Sequence, residues 1–198
     1  MSTDELHEMR HSLAHIMAQA VQHLWPQAKF GVGPAIDDGF YYDIDLGGAT
    51  ISEDDFPKIE KEMKKIIAAN YPFERRDVPI EDAIAWAENN HQVFKLELLN
   101  DLKRSGTTVA KELVGEDLGS VTDRNSKLKT VSLYSQGDYT DLCRGGHADS
   151  TGKVGAFKLM RVAGAYWRGD EKRQQMQRLY GVAFANEEIG RASCRERV

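Results

Sequence analysis

Apolar residues recur at Leu6, Met9, Leu13, Ile16, Met17, Ala20 and Leu24, a spacing of three and four that puts them on one side of an α-helix. Asp4 is placed to cap its start and Pro26 to end it, so the pattern predicts a helix over residues 4–24. A second stripe, Phe56, Ile59, Met63, Ile66 and Ile67, follows Ser52-x-x-Asp55, which has the form of a capping box, and stops at Asn70 and Pro72. Shorter repeats predict a helix over 79–89, with Ile80, Ile84 and Ala87 or Trp86 inward, and another over 94–102.

Elsewhere the signals are those of strands. Phe30 to Ile36 and Phe40 to Ile44 flank Asp37-Asp38-Gly39, which predicts a hairpin within 29–46 whose glycine takes a positive φ. Residues 130–135, 139–143, 156–167 and 175–184 have the aromatic and β-branched content of antiparallel strands. Residues 103–127 are polar and broken by Gly106, Gly115 and Gly119, which predicts a long surface excursion with one helical turn near 109–114. Helices and strands mix without a βαβ rhythm, so the expected class is α+β, two-layered, with a mainly antiparallel sheet packed with helices. Apolar patterning stops at Phe184, and the string from Glu188 to Val198 resembles a translated sequencing adapter. The expected organisation is therefore one domain over 1–186 and a non-native tail over 187–198, the natural chain continuing further.

At 198 residues and 41% hydrophobic content, one substantial core is affordable. The net charge of -5 supplies no overall pull toward nucleic acid, so such a role would rest on a local group: Lys158, Arg161, Arg168, Lys172, Arg173 and Arg178. A charged solvent face fits that group equally well. Two distant cysteines, no signal peptide and no apolar run of about 18 residues lead to the expectation of a cytoplasmic protein without membrane contact.

Chemistry concentrates in two spaced pairs, His11-x3-His15 and Cys143-x3-His147. On a helix, His11 and His15 share a face, and that face lies opposite the apolar stripe. They are either exposed surface histidines or half of a site for a metal, water or phosphate, with Cys143 and His147 completing it from a loop. The set has zinc-ligand chemistry but lacks the C-x2-C spacing of a zinc finger, which leaves metal-bound and metal-free readings open.

The runs Arg10 to His15, Gly33 to Asp43, Asp141 to His147 and Phe157 to Asp170 resemble, in order, the editing domain of bacterial threonyl-tRNA synthetases. The alanyl relatives share the histidine and cysteine elements, but Ala163-Gly-Ala-Tyr-Trp-Arg-Gly-Asp170 points to the threonyl branch. The resemblance implies hydrolysis of serine from mischarged tRNA(Thr) at the acceptor end. It also implies, in an intact enzyme, catalytic and anticodon-binding domains that ligate threonine to tRNA(Thr) and are absent here. On the matching positions, His11 orients the water or serves as its base, and Lys95 stabilises the oxyanion or helps orient water. His15, Cys143 and His147 shape the pocket and bind the terminal adenosine or seryl amine, with Asp141 suited to pair with that ammonium. Tyr42, Tyr166, Trp167 and Arg168 combine aromatic faces with a cation on which a base could stack, although Tyr166 and Trp167 are expected in the core. No cofactor is implied for the threonyl branch. The alternatives are an alanyl-type protein with zinc on His11, His15, Cys143 and His147, and a non-catalytic tRNA-binding module. Two departures from the family stand out: Gly146 replaces the usual proline, and 103–127 is longer than the usual connection.

Overall fold

The computed structural model describes residues 2–105 and 129–184. The excursion expected over 103–127 falls outside them apart from its first three residues, as does the tail over 187–198.

Helix α1 runs Thr3–Leu24 and is capped by Ser2, not Asp4. The Ser2 hydroxyl accepts from the Glu5 amide at 3.2 Å, and the Glu5 carboxylate accepts from the Ser2 amide at 2.7 Å. A capping box needs an acid or amide three residues on, which Ser2 has in Glu5 and Asp4 lacks. Helix α2, Phe56–Ala69, follows a 3-10 turn over Glu53–Asp55 and ends on Asn70 in the left-handed conformation at φ 53°.

The apolar stripes of α1 and α2 form the first core with a five-stranded sheet. Strands β1 (Lys29–Phe30) and β2 (Ala35–Ile36) both pair with β3 (Gly39–Asp45); β3 pairs with β8 (Gln175–Phe184), and β8 with β7 (Ala156–Tyr166). The hairpin at 37–38 is where expected, but Gly39 lies in the strand without a positive φ. Its lack of a side chain serves close strand approach, since a Cβ there would strike the Gly181 carbonyl oxygen of β8.

A separate three-stranded sheet contains β4 (Glu74–Pro79), β5 (Thr130–Gln136) and β6 (Tyr139–Leu142), so the one sheet expected is two, with every strand pairing antiparallel. Strand β4 had no sequence signal because it is a charged, exposed edge strand without apolar alternation. Helix α3, Ile80–Asn89, buries Ile80, Ala83 and Ala87. With α4, Val93–Ser105, and β5 it makes a second core that also takes Trp167 and Met176 from the first sheet's end. Trp167 is buried as expected and packs on Phe94 with ring centroids 4.8 Å apart, whereas Tyr166 is 40% exposed.

The second sheet and the loop after β6 cover the side of α1 that faces away from the first core. His11 and His15 are consequently buried, which excludes the surface-histidine reading. Among the described residues no helix is long and apolar enough to cross a membrane.

Candidate functional site

His11 and His15 extend from α1 toward the loop over 143–147. Cys143 Sγ lies 3.4 Å from His11 Nε2 and 3.3 Å from His147 Nε2. The His147 ring sits 4.1 Å from that of His11 and 4.4 Å from that of His15, and stacks on Phe73 at 4.8 Å, with only 4° between planes. Burial pushes the pKa values of His15 and His147 well below the ordinary imidazole range; neighbouring His11 and Lys95 add to the effect at His15, as do His15 and His11 at His147. Both imidazoles are neutral at pH 7.

The loop doubles back through two glycines, Gly145 at φ 113° and Gly146 at φ 77°. That backbone aims Cys143 and His147 at one point, and the family's usual proline could not adopt it, because its ring holds φ near about -65°. The loop path seen here therefore requires a residue other than proline at 146. Ser12 fastens the far end: its hydroxyl donates to the Glu8 carbonyl at 2.8 Å, accepts from the Ala148 amide at 2.9 Å and lies 3.4 Å from His147 Nδ1.

Beside this cluster is a charged one. Lys95 Nζ, from α4, lies 2.6 Å from Asp141 Oδ1 and donates to the Tyr42 hydroxyl at 3.1 Å. Tyr42 in turn donates to Asp141 Oδ2, and the Leu142 amide donates to Asp141 Oδ1 at 2.8 Å. Lys95, Asp141 and Tyr42 are all buried. Burial, reinforced by the Asp141 charge, holds the Tyr42 and Tyr139 hydroxyls well above the usual phenol range, so both stay protonated. Asp141, expected to meet a substrate ammonium, has both oxygens engaged within the protein. His15 joins the clusters, its Nε2 3.7 Å from Asp141 Oδ2.

All seven expected site residues thus converge: His11, His15, Cys143 and His147 in one cluster, Lys95, Tyr42 and Asp141 in the next. Two small cavities flank them. One of about 80 Å³ reaches Lys95, Asp141 and Tyr139, and one of about 290 Å³ reaches Cys143 between Arg75, Ser132 and Arg144. The base-stacking alternative loses two of its members, since Arg168 turns to Glu97 and Asp101 and Trp167 is buried. Half of the basic group is paired within the protein: besides Arg168, Arg173 pairs with Glu97, and Arg178 holds Asp43 through two contacts of 2.6 and 2.8 Å. Ser12, Phe73 and Tyr139 were missed as site residues. Only Ser12 left a signal, lying between the two helix histidines.

The four histidine and cysteine donor atoms lie within 4.8 Å of one another. A tetrahedral zinc, with bonds of about 2.0–2.1 Å to nitrogen and 2.3 Å to sulfur, sets donor separations of roughly 3.3–3.6 Å. The two distances from Cys143 Sγ, 3.4 and 3.3 Å, match that range, while the full set of four spreads to 4.8 Å, so the donor types suit zinc and a tetrahedral site needs the outermost donors to draw closer.

Comparison with known proteins agrees with this geometry. The threonyl and alanyl tRNA synthetase second additional domain matches residues 131–180. The threonine--tRNA ligase of Acetivibrio thermocellus is 47% identical over 175 residues, covering 88% of this chain and 24% of that protein. That of Dehalococcoides mccartyi is 48% identical over 180 residues, covering 91% and 26%. Threonine--tRNA ligase 1 of Bacillus subtilis is 46% identical over 183 residues, covering 92% and 25%. The chain spans about a quarter of the length of the curated relatives it matches. With close to half of its aligned residues shared with these proteins over about nine-tenths of its length, the chain is similar to one region of threonine--tRNA ligases, and its residues 131–180 match the second additional domain of the threonyl and alanyl tRNA synthetases.

Proposed function

We propose that the chain is an editing hydrolase that removes serine wrongly esterified to tRNA(Thr). The observation that carries this reading is a buried imidazole and thiol cluster set beside a buried, charge-paired lysine, the two joined where His15 Nε2 lies 3.7 Å from Asp141 Oδ2: a proton acceptor for water near a cation for an oxyanion. The need for such a step is energetic. A synthetic site built for threonine loses only about 1–3 kcal/mol when the methyl group is missing, so serine leaks through and a second site must remove it.

Water adds to the seryl carbonyl carbon as His11 takes its proton. The oxyanion forms beside the Lys95 ammonium, which Asp141 and Tyr42 hold in place. Collapse breaks the bond to the terminal ribose oxygen, which receives a proton, and serine and tRNA(Thr) leave. Neutral His15 and His147 bring no positive charge to oppose the seryl ammonium. A nucleophilic Cys143 is unnecessary, because so labile an ester needs only water.

The donor separations also favour a second reading, with zinc on His11, His15, Cys143 and His147. Zinc there would supply Lewis-acid polarisation and an acidified water. Release of serine and threonine from Ser-tRNA(Thr) and Thr-tRNA(Thr), measured with and without a chelator at high protein concentration, separates the readings. Serine-selective, chelator-resistant release supports the metal-free mechanism. Loss on chelation, restored by stoichiometric zinc, supports the second reading, and tRNA binding without release leaves a non-catalytic tRNA-binding module.

A further inference from the structure

We infer that Arg168 is a positioning residue for Lys95, acting through helix α4; the kinetic arm of its test rests on the proposed deacylase reaction. Arg168 lies in the 3-10 turn Trp167–Gly169 with φ 58° and ψ 27°. A long side chain holds that left-handed conformation only where its surroundings over-determine it. Those surroundings are one face of α4. Arg168 Nη2 lies 2.6 Å from Asp101 Oδ2, and its Nε lies 3.1 Å from Glu97 Oε1. Glu97 Oε2 also accepts from Trp167 Nε1 at 3.1 Å and from Arg173 Nη2 at 2.7 Å.

Glu97 and Asp101 are four residues apart, one helical turn, so a single guanidinium meets two successive turns of the helix, by a hydrogen bond to Asp101 and at ion-pair distance from Glu97. Lys95 is two residues before Glu97, about 200° around the helix, and points the opposite way to Asp141 and Tyr42. The helix start is anchored separately. Gln92 accepts from the Phe30 amide at 2.9 Å and donates to the Ala28 carbonyl at 3.3 Å, tying it to β1. Lys95 thus lies between two anchors, and Arg168 supplies the one that fixes rotation. A shift of one residue along the axis would move the lysine by about 1.5 Å and 100°. Lysine at position 168 could not reproduce this hold, because its point charge cannot span both carboxylates as a planar fork does.

The test compares Arg168→Ala, Arg168→Lys and, as a control, Lys103→Ala, which removes the exposed ion pair that ties the far end of α4 to Glu81 of α3. The first readout needs no activity: the 13Cε NMR signal of Lys95 at one fixed pH, assigned by its loss in Lys95→Met. Arg168→Ala is expected to shift or broaden it, Arg168→Lys to do so less, and Lys103→Ala to leave it in place. If Arg168→Ala does not fold, Arg168→Lys carries the comparison. An unmoved Lys95 signal in a folded Arg168 variant overturns the inference. The second readout is kinetic. Arg168→Ala is expected to lower kcat about 10- to 100-fold with KM within about twofold, and to add no further loss in a Lys95→Met background. A fully additive loss in that background also overturns it. If the parent chain releases no serine, the proposed function fails and the NMR signal alone decides the role of Arg168.

Discussion

On the α1 side of the site, three imidazoles and a thiol touch through ring faces and long sulfur contacts, with burial holding His15 and His147 neutral. On the α4 side, Lys95, Asp141 and Tyr42 close a ring of short contacts between opposite charges and a hydroxyl. The first cluster keeps nitrogen and sulfur donors available to a proton or an incoming ligand. The second holds a cation at a fixed address, which is what stabilising a developing oxyanion requires. The difference separates removal of a side chain's chemistry from removal of its structural support.

The strongest way to break that separation is His11→Ala. Loss of the proton acceptor is expected to lower serine release by about 10²–10⁴-fold, with a stability loss smaller than that of Lys95→Met, because truncating the buried ring leaves a cavity but no unpaired charge. A large loss of stability in this variant would show that the imidazole cluster is as structurally committed as its neighbour. Lys95→Met is expected to combine lost activity with a stability loss of about 3–5 kcal/mol, because Asp141 stays buried without its cation. Replacing both, as Lys95→Met with Asp141→Leu, should recover much of that stability and none of the activity. Urea unfolding of the three variants provides the check.

The two clusters were unequally legible in the sequence. His-x3-His and Cys-x3-His are spacings, and a helix or a short loop turns a spacing directly into proximity. Their burial was not legible, because the surface covering that face of α1 comes from β5, β6 and the 143–147 loop, over 100 residues away in sequence. Lys95 shows the opposite weakness. A lone lysine on a helix reads as solvated, and its position one turn before buried Leu99 on the same face was the only local clue. Helices α1 and α2 followed from periodicity, and the strands β5 to β8 from their aromatic and β-branched content. Strand β4 did not, because an exposed edge carries charges where a buried strand would carry apolar residues. The role of Arg168 was hidden too, since it depends on carboxylates of α4 that sequence alone does not place beside it.

A smaller effect is expected in the loop that brings Cys143 to His147. Gly145→Ala should cost more stability than Gly146→Ala, although both positions have positive φ. A Cβ at Gly145 would collide with the Tyr134 hydroxyl, while at Gly146 the nearest atom is Glu8 Cγ at 4.0 Å. The conformational cost at Gly146 alone is about 1–2 kcal/mol. Thermal unfolding of the pair measures the difference, and equal costs would mean that the loop yields at Tyr134.

The smallest expected effect concerns the tie between the clusters. Asp138, in the turn leading into β6 and Asp141, is held to α1 by Gln19 at 2.7 Å and by His23 at 3.0 Å. His23 also contacts Glu62 of α2 at 3.0 Å, and Glu62 pairs with Lys65. Burial pushes the His23 pKa down, but hydrogen bonds to Asp138 and Glu62 push it up by more, so the net shift is upward. A raised folded-state pKa stabilises most below the unfolded value of about 6.5, and the contribution is lost as pH rises through the folded value. Asp138 is 71% exposed, so water screens the pair and the contribution is about 0.2–1 kcal/mol. The stability difference between the parent chain and His23→Gln should therefore be largest between about pH 5 and 6.5 and shrink toward pH 9. A difference that stays flat across that range would mean that the imidazole holds the turn by shape and neutral hydrogen bonding, leaving the two clusters joined without any charge between their supports.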